Sequence, residues 1–224
     1  MKDLAVVVYS CDKNEEVWPI YKKCIDKYWK NHPNVYLLTE TISSPLFISI
    51  TKNYDLNHWT TRIRNSLKDI KEKYVIFMSD DIFINDYVNI NKLDKCLDIL
   101  NNNKYSAIQF ELSWSNKDIE SEYNGFKIKT KESPYKLSLL CGIWNKDVLI
   151  HILEKDSNPW DVEKYQDCKG YTFLQISDEK VISWFNDSYG GNGAIRYGLW
   201  QHGVEEFLSK ENISVDFSKK GFRE

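Results

Sequence analysis

The stretch from Tyr74 to Ile84 reads YVIFMSDDIFI: an apolar run, a serine, two adjacent carboxylates, then three apolar residues. An apolar run of that length is a buried strand, so Asp80 and Asp81 stand where its C-terminal end leaves the sheet. In open α/β sheets ligands bind just outside that edge. Neighbouring carboxylates repel unless a cation or hydrogen-bond donors compensate. A hard divalent ion, Mg²⁺ or Mn²⁺, shared with a diphosphate meets that need. The bland alternative is a turn or helix cap, where Asp pairs are common.

The elements that must position this pair follow from periodicity. Leu4 to Tyr9 (LAVVVY) is a first buried strand, followed by the polar loop Ser10 to Asn14. Val17, Ile20, Tyr21, Cys24, Ile25 and Tyr28 recur at helical spacing, with Pro19 tolerable in the first turn. Val35 to Thr39 is a second strand and Phe47 to Ile50 a short third. Trp59, Ile63, Leu67 and Ile70 form a helical stripe with Asp55 and Asn57 as caps, and Leu93, Leu97 and Leu100 another. Arg62 shares a face with Trp59, and its guanidinium suits a diphosphate; Trp59 itself begins the apolar stripe and reads as core. This alternation predicts a doubly wound, mostly parallel α/β sheet.

Beyond residue 104 the pattern changes. Ser106 to Leu112, Tyr123 to Lys129, Tyr135 to Cys141 and Tyr171 to Ser177 read as strands, and Asn145 to Glu154 and Asn158 to Cys168 as helices. Strands in succession predict a smaller mixed or antiparallel region. The expectation is one domain over 1–224, with a soft boundary near residue 104 inside one globule.

Composition sets bounds. The chain has 224 residues and a formal net charge of -3, with 30 basic against 33 acidic residues spread along it. Nucleic-acid binding is not expected, because Lys and Arg do not cluster. Lys127, Lys129 and Lys131 alternate as one solvated strand face. Five scattered cysteines without a CxxC pair suggest neither a zinc site nor a disulfide framework, which fits a reducing cytoplasm. The N-terminal apolar run is too short for a signal peptide or a membrane span, leaving peripheral membrane contact compatible. Aromatic residues reach 14%, with eight Trp, as in sugar-handling proteins that stack rings; a Trp-rich core is the alternative.

The opening strand with its VVYSCDK loop, the helix with Trp59 and Arg62, the YVIFMSDDIFI strand and the LLCGIWNKDVL…NPWDVE stretch together resemble GT-A nucleotide-sugar glycosyltransferases, especially small bacterial enzymes of capsule and lipopolysaccharide assembly. The resemblance covers about residues 4 to 165. It implies transfer of a sugar, from a UDP-sugar, to a glycan or glycolipid hydroxyl, with residues 1–104 as the nucleotide-binding half and 105–224 as the acceptor-side half; inversion is expected because a carboxylate base is available and no covalent nucleophile is evident. Asp81 would hold the divalent cation and Asp80 would face ribose or donor sugar. The family's Asp-X-Asp is here Ser79-Asp80-Asp81, which leaves metal dependence open. By the same resemblance Ser10 to Lys13 lies at the base and ribose, where Asp12 could accept a hydrogen bond or be a solvated loop carboxylate.

Inverting transfer needs a base for the acceptor hydroxyl. In Asn158-Pro159-Trp160-Asp161-Val162-Glu163, Asn158 caps and Pro159 opens a helix. Asp161 at the third position has a ready structural duty toward backbone N–H groups. Glu163 lacks it and is the first candidate, Asp161 the second; an exposed helical Glu is the alternative. Gly142 within its strand suggests close backbone approach by a ligand, and Trp144 either sugar stacking or core. Asn186 to Gly198, holding four of nine glycines, reads as a mobile loop or a surface connection; the resemblance implies a late loop folding over the diphosphate, with Arg196 or His202 supplying positive charge. A sugar-phosphate nucleotidyltransferase is the first rival; its usual Gly-rich loop after the first strand is absent from SCDKN. A non-catalytic sugar-binding module is the second.

Overall fold

The computed structural model describes residues 3–112, 115–165, 168, 170–186 and 193–223. The first half comprises β1 (Leu4–Tyr9), α1 (Trp18–Tyr28), β2 (Val35–Thr39), β3 (Ile48–Thr51), α2 (Trp59–Lys68), β4 (Tyr74–Ser79) and α3 (Ile90–Asn101). The second comprises β5 (Ala107–Gln109), β6 (Ile119–Glu120), β7 (Phe126–Ile128), β8 (Cys141–Asn145), α4 (Lys146–Ile152), α5 (Pro159–Tyr165), β9 (Phe173–Ile176), the hairpin β10 (Ile195–Arg196) and β11 (Leu199–Trp200), and α6 (Val204–Lys210).

One sheet runs β3-β2-β1-β4-β8-β5-β9-β7-β6. Its first four strands are parallel. Antiparallel β8 lies between β4 and β5, and β5 and β9 are again parallel. The α/β class with a mostly parallel core and a mixed flank is therefore as the sequence predicts, and the sheet passes without a break across residue 104.

Successive strand residues point to opposite faces, and here both faces are covered. Leu4, Val6 and Val8 pack with α1 and α3 through Trp18, Tyr21, Leu93 and Cys96. Ala5 and Val7 pack with Trp59, Ile63 and Leu67 of α2, Leu149 of α4 and Val162 of α5. That two-sided burial is why β1 and β4 are continuously apolar rather than alternating. After the acidic pair the chain returns inside: Ile82, Phe83 and Ile84 are buried, and Ile84 bridges to Trp184. Asp80 and Asp81 are thus a short polar turn fixed between two buried segments.

Three expectations are corrected, and Trp144, open between sugar stacking and core, resolves as core. The strand anticipated over 135–141 begins only at Cys141, because Tyr135 has φ +47° and breaks the extended path. Gly142 answers to a neighbouring strand and not to a ligand: a Cβ there would lie 2.8 Å from the Ile108 carbonyl oxygen of β5. Trp144 is fully buried against Phe173, with ring centroids 5.6 Å apart. Lys129 is buried at 5% exposure instead of solvated. In the glycine-rich stretch, residues 187–192 lie outside the described residues; Gly193 to Gly198 form the approach to the β10–β11 hairpin and most of it.

Candidate functional site

At the C-terminal ends of β1 and β4, Asp80 is only 2% exposed. Its donors are set by the first loop. The Trp18 indole N–H donates to Ser10 Oγ at 2.7 Å, so the Ser10 hydroxyl directs its proton to Asp80 Oδ2. Asn14 Nδ2 donates to the same carboxylate at 3.0 and 3.3 Å. Burial, and then the charge of Asp81, push the Asp80 carboxyl up to about 7 against the pull of Ser10 and Asn14.

The loop itself is held from below and from the side. Arg62, 3% exposed, donates to the Ser10 carbonyl at 2.8 Å and pairs with Glu40 at 2.9 Å. Glu40 accepts the Asp12 N–H at 2.6 Å. In return the Asp12 carboxylate accepts backbone N–H groups of Glu40, Thr41 and Ile42 at 3.1–3.2 Å and the Thr41 hydroxyl at 2.5 Å. Asp12 therefore ties the first loop to the turn after β2. Lys220 closes the same loop from above, donating to the Lys13 carbonyl at 2.8 Å and pairing with Glu16 at 3.0 Å.

Asp81 looks the other way, into a cavity of about 690 Å³ that Glu163 also lines. The Asp81 carboxylate accepts the Ile195 N–H at 3.3 Å, and its backbone carbonyl accepts the Ala194 N–H at 2.9 Å. Glu163 Oε1 accepts the Leu139 N–H at 2.7 Å. Burial, and more weakly Glu111, raise the Glu163 carboxyl above the usual carboxylate range, while the Leu139 bond opposes them. Tyr9 lines the cavity too. Burial raises its phenol well above normal, and the Asp81 and Glu163 charges add to that, so both carboxylates act on one hydroxyl.

Of the residues singled out in the sequence, Ser10, Arg62 and Asp80 meet in one buried network to which half-buried Asp12 is joined through Glu40, and Asp81 and Glu163 share the cavity. Asp161 does neither. It exchanges hydrogen bonds with the Asn158 cap, at 2.7 Å through its side chain and 3.0 Å through its N–H. Arg196 lines the cavity.

Sequence reasoning missed Gln109, Glu111, Lys129 and Gln175, which also line it. Lys129 Nζ donates to Gln175 Oε1 at 3.0 Å, and Ser138 donates to Glu111 at 3.1 Å. A signal existed: Gln109 and Gln175 interrupt otherwise apolar strands and stand in register on β5 and β9. A buried glutamine near the carboxyl end of such a strand is itself a pointer to a site.

Among the described residues no three His, Cys, Asp or Glu side chains are grouped to hold a metal ion. A Mg²⁺-type ion arriving with phosphates needs only one or two protein carboxylates. The donor set, with Asp81 on the wall, fits that mode and not a resident all-protein cage. No helix among the described residues is long and apolar enough to cross a membrane.

No protein-family model and no curated protein matches the chain. Solved structures do resemble it. TarS 1-349 of S. aureus aligns at 13% identity and TM-score 0.51, over 80% of this chain and 59% of that one, so that less than two thirds of it is spanned. The same protein in complex with UDP-GlcNAc aligns at 12% identity and TM-score 0.50, over 97% and 69%. A cytidylyltransferase from Leptospira borgpetersenii serovar Hardjo-bovis aligns at 10% identity and TM-score 0.51, over 96% and 99%. The chain therefore has the Rossmann-like α/β fold seen both in a nucleotidyltransferase and in a protein that binds a nucleotide sugar.

Proposed function

We propose that the protein is a glycosyltransferase that moves a sugar from a nucleotide-diphosphate donor, a UDP-sugar, to a carbohydrate hydroxyl of a glycan or glycolipid, with inversion. The observation that carries this reading is that Asp81 and Glu163 line one cavity together with Tyr9. Glu163, with its raised affinity for a proton, takes the proton of the acceptor hydroxyl as that oxygen bonds to the anomeric carbon. The bond from the anomeric carbon to the phosphate oxygen breaks, and its electron pair leaves with the nucleotide diphosphate. Asp81 would hold a Mg²⁺ or Mn²⁺ ion there, which supplies charge neutralisation to the departing diphosphate. Ser10, Asp80 and Arg62 hold the neighbouring loop in shape for the nucleoside.

A second reading, a nucleotidyltransferase, draws on the near end-to-end alignment with the cytidylyltransferase. The first loop weighs against it, because it lacks glycine and is locked by Asp12 to the turn after β2. The two readings separate in one assay. Nucleotide release from UDP-, GDP- and CMP-sugars, with and without Mn²⁺, is measured beside pyrophosphate release from CTP or UTP plus sugar phosphates. Sugar-nucleotide turnover supports the proposal; pyrophosphate release alone overturns it in favour of the second reading.

A further inference from the structure

Four non-glycine residues among those described have a positive φ: Asn103, Tyr135, Tyr197 and Asn212. Asparagine enters the left-handed region readily, whereas a bulky tyrosine does so only under constraint. Both tyrosines lie at the mouth of the 690 Å³ cavity, and both are exposed, Tyr135 at 65% and Tyr197 at 81%. Trp160, 58% exposed, completes the rim from the first turn of α5.

Each strained tyrosine is held by its surroundings. On either side of Tyr135 a buried side chain anchors the backbone: Lys129 Nζ donates to the Pro134 carbonyl at 3.2 Å, and Gln109 Nε2 to the Lys136 carbonyl at 2.8 Å. Tyr197, φ +54°, and Gly198, φ +79°, form the two-residue turn between β10 and β11. A turn with both central residues at positive φ ordinarily takes Asn, Asp or Gly first. The base of this hairpin is tethered to Asp81 through the Ile195 N–H at 3.3 Å. Strain that the surroundings over-determine is a mark of ligand clamps; both rings stay largely exposed, although the Arg196 and Arg223 guanidiniums lie 5.6 and 5.9 Å from the centre of the Tyr197 ring.

We propose that Tyr135, Trp160 and Tyr197 form a stacking subsite for a neutral saccharide, the acceptor, at the cavity mouth. The inference rests on the glycosyltransferase reading for the role of that saccharide. Tyr135 and Trp160 offer exposed ring faces, Tyr197 a largely exposed ring beside Arg196 and Arg223, and Ser138, Gln109 and Gln175 line the cavity further in, each already fixed in orientation by a protein hydrogen bond. Apolar faces with a few polar groups behind them suit a pyranose, whose C–H face and hydroxyl edge differ in the same way.

The test uses neutral trisaccharides of glucose, galactose and N-acetylglucosamine as probes, titrated by calorimetry on the intact chain and on Tyr135→Gly, Tyr197→Asn and Trp160→Ala. UDP, UDP-sugars, CDP and CMP-sugars are titrated in parallel. At least one trisaccharide should bind, and each substitution should weaken it by about tenfold. Tyr197→Asn should melt at or above the wild-type temperature, since the strain is relieved, so loss of saccharide there cannot be unfolding. Failure of every trisaccharide to bind, or affinity unchanged in all three variants, overturns the subsite. Loss of nucleotide affinity in place of saccharide affinity also overturns it and assigns the rings to a base. Failure of all nucleotides on the wild type, with saccharides bound, overturns the donor reading and leaves the subsite standing.

Discussion

The carboxylate of Asp81 occupies the space that a side chain at position 193 would need. A Cβ on Gly193 would lie 2.3 Å from Asp81 Oδ2, and Gly193 has φ +81°. The glycine-rich stretch thus has a specific tie to the acidic turn: its backbone is drawn against Asp81, which accepts from Ile195 and Ala194 just beyond.

Gly193→Ala is therefore expected to displace Asp81 or the β10–β11 hairpin, costing about 1–3 kcal/mol of stability and most of the transfer activity. Gly170→Ala is the control, since φ is +86° there but nothing lies within 4 Å of an added Cβ. It should share the backbone strain and retain activity. Melting temperature and turnover on both variants check the contrast.

Asp12 should act on stability rather than on chemistry. Burial pulls its carboxyl upward, but the Thr41 hydroxyl and the Thr41 and Ile42 N–H groups outweigh it, and its affinity for a proton falls below the usual value. A carboxyl held low stabilises the fold above its unfolded pKa, and that contribution is lost as pH falls through the folded value. Asp12→Ala should cost about 1–2 kcal/mol at neutral pH, trimmed by solvent at this partly exposed loop. Denaturant titrations at neutral and acid pH should show the gap to wild type closing toward acid.

Arg62→Met should leave Glu40 without its cation and the Ser10 carbonyl without the Arg62 donor, costing about 2–4 kcal/mol. Chemical denaturation measures the loss. Because Arg62 acts here through the loop, nucleotide affinity should fall with it, whereas Arg62→Lys should recover part of the stability by restoring the charge alone.

Glu163→Gln should lower turnover by about 10²–10³ while donor affinity stays near wild type. Burial and Glu111 raise the Glu163 carboxyl, so the base is protonated at low pH, and the wild-type rate should climb with pH through a range above ordinary carboxylates. The variant should lose that limb. A pH–rate profile on both proteins checks it; an unchanged limb reassigns the base, with Glu111 next in line because it lines the same cavity.

The first half of the fold was legible because its strands are buried on both faces and its helices carry long apolar stripes, as Trp59, Ile63 and Leu67 illustrate. The acidic turn was legible for the same reason, since two carboxylates between the apolar runs of YVIFMSDDIFI mark where a buried strand leaves the sheet. The rest depends on tertiary contacts that local pattern cannot encode. Lys129 alternates with Lys127 as a surface residue would, yet its ammonium is drawn in by Gln175 and the Pro134 carbonyl. Gly142 looks like a ligand contact until β5 is seen across from it. Asp161 is spent on the Asn158 cap, a structural duty its place in the first helical turn already suggested, whereas the bonds of Asp12 to the turn after β2 are ones no local spacing assigns in advance.

The central claim is that Asp81 grips a sugar nucleotide through its phosphates inside the cavity it shares with Glu163. Calorimetric titration of a UDP-sugar with Mn²⁺ into wild type and Asp81→Asn, with matched circular dichroism, tests it most directly. The account predicts binding to wild type and a loss of about tenfold or more in the variant. Equal affinity in a folded Asp81→Asn protein would contradict it.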